Sequence, residues 1–197
     1  ARMALWVAGI TVELREVKLA AKPPALIAAS PKATVPVLVQ GDGPEAGGVI
    51  DQSLDIMRWA LKQCDPEGWL AGDDAALIAA NDGPFKHHLD RAKYPGRYDA
   101  DAIDHRAVAL TLLLPLEDRL SQTSYLCGAA RSLTDAALFP FVRQFAAIAP
   151  DWFAQLPLPR LQGWLATHIT SEIFAAIMPK FAPWTAGDAP ILFGPCR

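Results

Sequence analysis

Near residue 70 the sequence changes rhythm, and a single repeating architecture is thereby excluded. Before that point short helix and strand patterns alternate. After it, apolar residues recur only at helical spacing. Ala1 to Ala8 is helix-forming and stops at Gly9. Thr11 to Leu19 reads as a strand with Val12 and Leu14 on one face and a phase shift before Val17. Ala21 to Ala29 is a short helix behind Pro23-Pro24. Val35–Gln40 and Gly48–Ile50 read as strands of a hairpin around Gly41-Asp42-Gly43-Pro44. Asp51 to Gln63 is an amphipathic helix carrying Leu54, Met57 and Leu61 on one side. Cys64–Gly68 and Ala71–Asp74 break regularity. Helices follow at 74–93, 101–121, 133–148, 158–167 and 171–178, with Gly83-Pro84 and Pro115 as kinks. The tail from Pro179 is rich in Pro and Gly, contains no convincing strand and is expected to wrap the surface. This pattern predicts two domains, an α/β domain over 1–70 and an all-helical domain over 74–197.

Composition narrows the partners. Of 197 residues, 52% are hydrophobic, enough for a sizeable core. The net charge is −3 and the basic residues are scattered, so nucleic-acid binding has no electrostatic support. The longest apolar stretch, Ala107 to Leu116, is far short of a membrane span. No secretory signal is visible. Cys64, Cys127 and Cys196 are odd in number and widely spaced, which favours a reducing, cytoplasmic setting over a disulfide framework or a zinc site. The first helix begins with neither an N-cap nor an initiator Met. The expectation is that the sequence enters partway into that helix, an engineered or frayed terminus being the alternative.

Three local patterns carry chemistry. In Ser30-Pro31-Lys32-Ala33-Thr34-Val35-Pro36-Val37-Leu38, Pro36 sits inside an apolar strand run, where it cannot donate to a ladder. A cis Val35-Pro36 bond would turn the Val35 backbone outward for pairing with an extended peptide. Taken alone, it reads as an edge-strand proline. In Asp51-Gln52-Ser53-Leu54-Asp55-Ile56, a strand gives way to a helix whose N-terminal N–H groups favour an anion. The Ser53 hydroxyl and Gln52 amide could meet its carboxylate and ammonium. Taken alone, this is N-capping by Asp51. In Ser132-Leu133-Thr134-Asp135, Ser132 and Asp135 have the spacing of a capping box, although Arg131 occupies the place of the usual apolar staple.

In this order, Val35-Pro36, Gln52-Ser53 and Ser132-x-x-Asp135 resemble the glutathione transferase family across nearly the whole chain, up to about Met178. A strand placed before Ala1 would complete the thioredoxin-like order β-α-β-α-β-β-α. The resemblance implies a thioredoxin-like glutathione-binding domain, its first strand missing, and an all-α C-terminal domain. It implies glutathione as co-substrate, bound by Lys32, Thr34, Val35, Pro36, Gln52 and Ser53, with Ser132 and Asp135 as a structural capping box. It also implies a small electrophile or disulfide as second substrate, and a homodimer.

In this family a Tyr, Ser or Cys at the end of the first strand or the start of the first helix activates the glutathione sulfur. That position is expected upstream of Ala1, about fifteen residues being needed to complete strand, loop and helical turn. No catalytic residue is therefore assigned within the chain. Arg2-Met3-Ala4-Leu5 resembles the helix after the Cys-Pro-x-x motif of the omega-like, cysteine-type branch. Cys64, Cys127 and Cys196 fit packing or surface positions instead. Phe85, Tyr94 and Tyr98 are candidates to border an acceptor pocket or to pack in the core, and Trp152 and Trp164 read as helical core. His87-His88 reads as a solvated helix face, since adjacent residues point about 100° apart. No metal is expected. The competing functional expectation is a non-catalytic protein of the same fold that serves as a regulatory or protein-binding module.

Overall fold

A computed structural model describes residues 1–41, 47–99 and 101–195. In chain order its elements are α1 (Arg2–Val7), β1 (Val12–Glu13), α2 (Pro24–Ala29), β2 (Leu38–Val39), β3 (Val49–Ile50) and α3 (Ser53–Gln63). Then come α4 (Ala75–Ala80), α5 (Lys86–Lys93), α6 (His105–Leu120), α7 (Leu133–Ala146), α8 (Pro150–Ala154) and α9 (Pro159–Ile169). The last elements are α10 (Glu172–Ile177) and β4 (Leu192–Phe193). A small N-terminal unit with few strands precedes a helical one, as the family resemblance implies. The chain divides into one unit of Ala1–Glu67 with Glu172–Arg197, and another of Gly68–Ser171.

In the first unit, α1 and α3 supply the core. Met3, Ala4, Leu5 and Ala8 are buried, as are Ile56, Met57, Ala60 and Leu61. Burial of each Met, Leu or Ile side chain among them contributes about 1.5–3 kcal/mol. Gly9, at φ +68°, ends α1 and lets the Ile10 N–H turn back onto the Leu5 carbonyl at 2.9 Å. The β2–β3 hairpin pairs Leu38 with Ile50 and Val39 with Val49, antiparallel. The turn expected at Gly41-Asp42-Gly43-Pro44 lies, beyond Gly41, outside the described residues.

The expected tail differs from the observed one. Leu192–Phe193 is a strand, and it pairs antiparallel with β1 in the register Val12↔Phe193 and Glu13↔Leu192. Phe193 is buried against Trp6, ring centroids 5.9 Å apart. Arg2 reinforces this closure. It ion-pairs with Glu16 at 2.8 Å, and its guanidinium lies 5.8 Å from the Phe181 ring and 5.6 Å from the Phe193 ring. Residues 172–197 therefore belong with the first unit, whereas the sequence pattern put them in the helical domain. A two-residue strand among Pro and Gly leaves no periodicity to read. The strand expected over Thr11 to Leu19 is likewise reduced to Val12–Glu13.

The helical unit is built on α6, α7 and α9, with Leu113, Leu133, Leu138, Phe139, Val142, Phe145 and Leu161 essentially inaccessible. The helix expected over 74–93 is interrupted by a π turn, Asn81–Phe85, which contains Pro84. Proline has no N–H to donate to the previous turn, and the widened turn absorbs it. Pro115 and Pro140 sit inside continuous helices. α8 has no counterpart among the expected helices.

Candidate functional site

In the first unit the hairpin and the start of α3 bring the predicted residues together. The β2–β3 register, continued two residues towards α3, sets Pro36 across from Gln52. The Val35-Pro36 peptide is cis. Lys32, Thr34, Val35, Gln52 and Ser53 are exposed, and Pro36 is half-buried.

The start of α3 departs from the ordinary reading of its sequence. Asp51 does not cap the helix. The N-cap is Gln52, in extended conformation, and its side chain makes no hydrogen bond to the first turn. Asp51 faces the other way: Ser30 Oγ donates to its Oδ2 at 3.0 Å and Lys32 Nζ to its Oδ1 at 2.9 Å. The Lys32 and then the Ser30 hydrogen bond hold the Asp51 carboxyl below the usual carboxylate range. Ser30 is buried, which fixes where the carboxylate sits.

Two chemical consequences follow. The Lys32–Asp51 pair cancels a negative charge that would otherwise stand one residue before the N-cap of an eleven-residue helix. The N-terminal N–H groups of α3 then present partial positive charge beside the exposed Ser53 hydroxyl, a setting for a carboxylate. Ala33, between Lys32 and Thr34, has φ +49°, the left-handed region that a side chain enters at about 1–2 kcal/mol. The Ala33 N–H closes that turn on the Ser30 carbonyl at 2.8 Å. Lys32 is thus anchored to Asp51, a contact the sequence reading did not include. The signal in the sequence is Asp51 itself, whose place before a helix reads as a cap.

The capping box is present in the helical unit. Ser132 Oγ accepts from the Asp135 N–H at 3.3 Å, and Asp135 Oδ2 accepts from the Ser132 N–H at 2.9 Å. Asp135 is wholly buried and also accepts from the Leu126 N–H at 2.9 Å. Gly72 packs onto this box, a Cβ there lying 2.4 Å from Ser132 Cβ. Its carbonyl accepts from Thr134 Oγ1 at 2.7 Å.

The other candidates separate. Phe85 is buried core. Tyr94 stacks under Arg97, 4.0 Å from its ring, and Tyr98 under Arg91 at 4.4 Å. Trp164 is buried, whereas Trp152 is only half-buried, with Arg106 over its ring at 4.6 Å. Cys64 and Cys127 are free and exposed, and Cys196 lies outside the described residues. His87 is exposed as expected for a solvated face, but His88 turns inward against His105. Among the described residues no helix is long and apolar enough to cross a membrane.

Two family models match the chain: the glutathione S-transferase N-terminal domain over residues 1–63 and the C-terminal domain over 48–167. No curated protein sequence matches. Among solved structures, the chain is similar to a glutathione transferase from Burkholderia graminis with two glutathione molecules bound per subunit. That similarity has TM-score 0.74 and 20% identity, covering 92% of this chain and 83% of that one. A glutathione transferase family member from Pseudomonas fluorescens, also with two glutathione bound, gives TM-score 0.72 at 19% identity over 89% and 85%. The apo form of a glutathione S-transferase III gives 0.67 at 21% identity over 92% of each chain.

Proposed function

We propose that this chain, which belongs to the glutathione S-transferase family, binds glutathione along the edge formed by residues 32–36 and the start of α3. In this reading the Ser53 hydroxyl and the first N–H groups of α3 receive the γ-glutamyl carboxylate. Gln52 meets the adjacent ammonium. The Val35 backbone pairs with the cysteinyl peptide, beside Pro36. Thr34 and Lys32 flank the glycyl end, Lys32 from its anchored position on Asp51. The observation that carries the reading is the uncapped start of α3, its neighbouring carboxylate neutralised by Lys32.

The reaction proposed is glutathione-dependent transfer, or thiol–disulfide exchange, on a small electrophile or disulfide. Two family structures hold glutathione, which supports it as co-substrate here. The resemblance of Arg2-Met3-Ala4-Leu5 to the cysteine-type branch favours exchange chemistry. Free, exposed Cys64 and Cys127 suit a cytoplasmic setting. A homodimer is carried over from the family.

Calorimetric titration of the chain with reduced glutathione tests the site. Saturable binding is expected, and Ser53→Ala is expected to weaken it by roughly tenfold or more, the value of a hydrogen bond to a charged group. The absence of heat at millimolar glutathione, or unchanged affinity in both Ser53→Ala and Gln52→Ala, overturns the reading.

A further inference from the structure

Three imidazoles meet in the helical unit, on residues distinct from those discussed for glutathione. His87 and His88 lie on the first turn of α5, and His105 is the first residue of α6. One ring nitrogen from each lies within 4.8 Å of the others. The closest pair is His88 Nδ1 and His105 Nδ1, 2.8 Å apart. The ring centroids of His87 lie 4.9 Å from His88 and 6.0 Å from His105.

Adjacent residues on one helix diverge, which argues against a metal bound by His87 and His88 alone. His105 removes the objection by standing across from both, on a different helix. The π turn immediately before α5 sets the angular phase at which this pair leaves the preceding helix.

His105 also carries a second-layer partner. Its Nε2 lies 3.0 and 3.1 Å from the two carboxylate oxygens of Asp101. The Ile103 N–H in turn holds Asp101 Oδ1 at 3.0 Å. A carboxylate on Nε2 fixes the proton there and makes Nδ1 the acceptor, the carboxylate–histidine arrangement that supports metal ligands; without metal it accepts from His88 Nδ1–H, whose proton shifts to Nε2 when both nitrogens turn to an ion. We propose that His87, His88 and His105, backed by Asp101, form a binding site for a divalent transition ion of the zinc class. Imidazole nitrogens select zinc, copper or nickel over calcium or magnesium. Tetrahedral coordination at 2.0–2.1 Å separates ligand nitrogens by about 3.3 Å, so His88 and His105 need part by only about half an ångström. Water completes the fourth position. Arg91, whose Nη1 lies 3.1 Å from His87 Nδ1, must yield that nitrogen or leave His87 to ligate through Nε2.

The test uses chelator-stripped full chain titrated with Zn²⁺ by calorimetry and with Co²⁺ by visible absorption. One ion per chain at micromolar affinity or tighter is expected, with the absorption of four-coordinate nitrogen-ligated Co²⁺. Unfolding midpoints should rise with zinc, since binding to the native state stabilises it. His88→Gln and His105→Gln should each weaken zinc binding at least tenfold, and Asp101→Asn by about tenfold. No saturation below millimolar zinc overturns the site. So does a thiolate-to-cobalt charge-transfer band, or unchanged affinity in the His88→Gln/His105→Gln pair. If that pair fails to fold by circular dichroism, the exposed His87→Gln takes its place, and unchanged zinc affinity there overturns the three-histidine site.

Discussion

Trp164 on α9 donates its indole N–H to the Asp135 carboxylate on α7 at 2.7 Å, with both side chains buried. The carboxylate that closes the capping box of α7 therefore also ties two helices together. Asp135→Asn presents an NH₂ group to a site built for an acceptor. Each buried donor left unpaired costs about 1–3 kcal/mol, so a loss of about 3 kcal/mol is expected in urea denaturation. Trp164→Phe keeps most of the packing and should cost about 1 kcal/mol beyond the lost indole volume. Equal stability of wild type and Asp135→Asn would contradict the network.

Gly72→Ala should be nearly as damaging. A Cβ there falls 2.4 Å from Ser132 Cβ and 2.8 Å from Cys127 Cβ, and neither atom is the far end of a flexible chain. Displacing Ser132 opens the capping box, whose loss is worth about 0.5–2 kcal/mol, in addition to overpacking of about 1–3 kcal/mol. A thermal midpoint within about one degree of wild type would show that the segment relaxes freely.

Lys32→Met should weaken glutathione binding several-fold without changing the fold. It leaves the Asp51 carboxylate held by Ser30 alone, with its charge no longer cancelled one residue before the N-cap, where it opposes an incoming carboxylate. Asp51→Asn in the Lys32→Met background should recover much of the loss. If the double variant binds no better than the single, the charge-cancelling role of Lys32 is wrong.

His168 makes stability fall on the acid side. The ring is inaccessible, stacks on Phe139 at 4.9 Å, and neither nitrogen has a hydrogen-bond partner among the described residues. Burial first, and the Arg131 charge second, push its pKa down to about 3 from 6.5. Below pH 6.5 the unfolded chain takes a proton that the folded chain refuses. The His168 contribution is therefore full above pH 6.5 and declines as pH falls towards about 3, with a slope approaching about 1.4 kcal/mol per pH unit. His168→Phe removes that slope while keeping an aromatic face. Denaturation of both proteins at pH 7, 6 and 5 reads the difference, and parallel curves would refute it.

Much of this could be read from the residues because the signals were local. The α1 and α3 helices, the β2–β3 pairing and the Ser132–Asp135 box each depend on neighbours within a few positions. What could not be read depends on partners far apart in sequence. Asp51 looked like a cap because its partners, Ser30 and Lys32, are some twenty positions upstream. Asp135 looked worth one cap because Trp164 is 29 residues away. His87-His88 looked solvated because His105 sits on the next long helix. The Val12↔Phe193 pairing joins the two ends of the sequence, and no periodic pattern announces it.

That last pairing has a consequence for synthesis. Translation proceeds from the N-terminus, so residues 68–171 emerge as a contiguous set able to condense as soon as they clear the ribosome. Residues 1–67 wait longer, since Val12 gains its pairing with Phe193, and Trp6 its ring contact with Phe193, only once residues 192–193 have been made. In the interval the edge of Val12–Glu13 that β4 later covers stays open to whatever chaperone or neighbouring chain reaches it first.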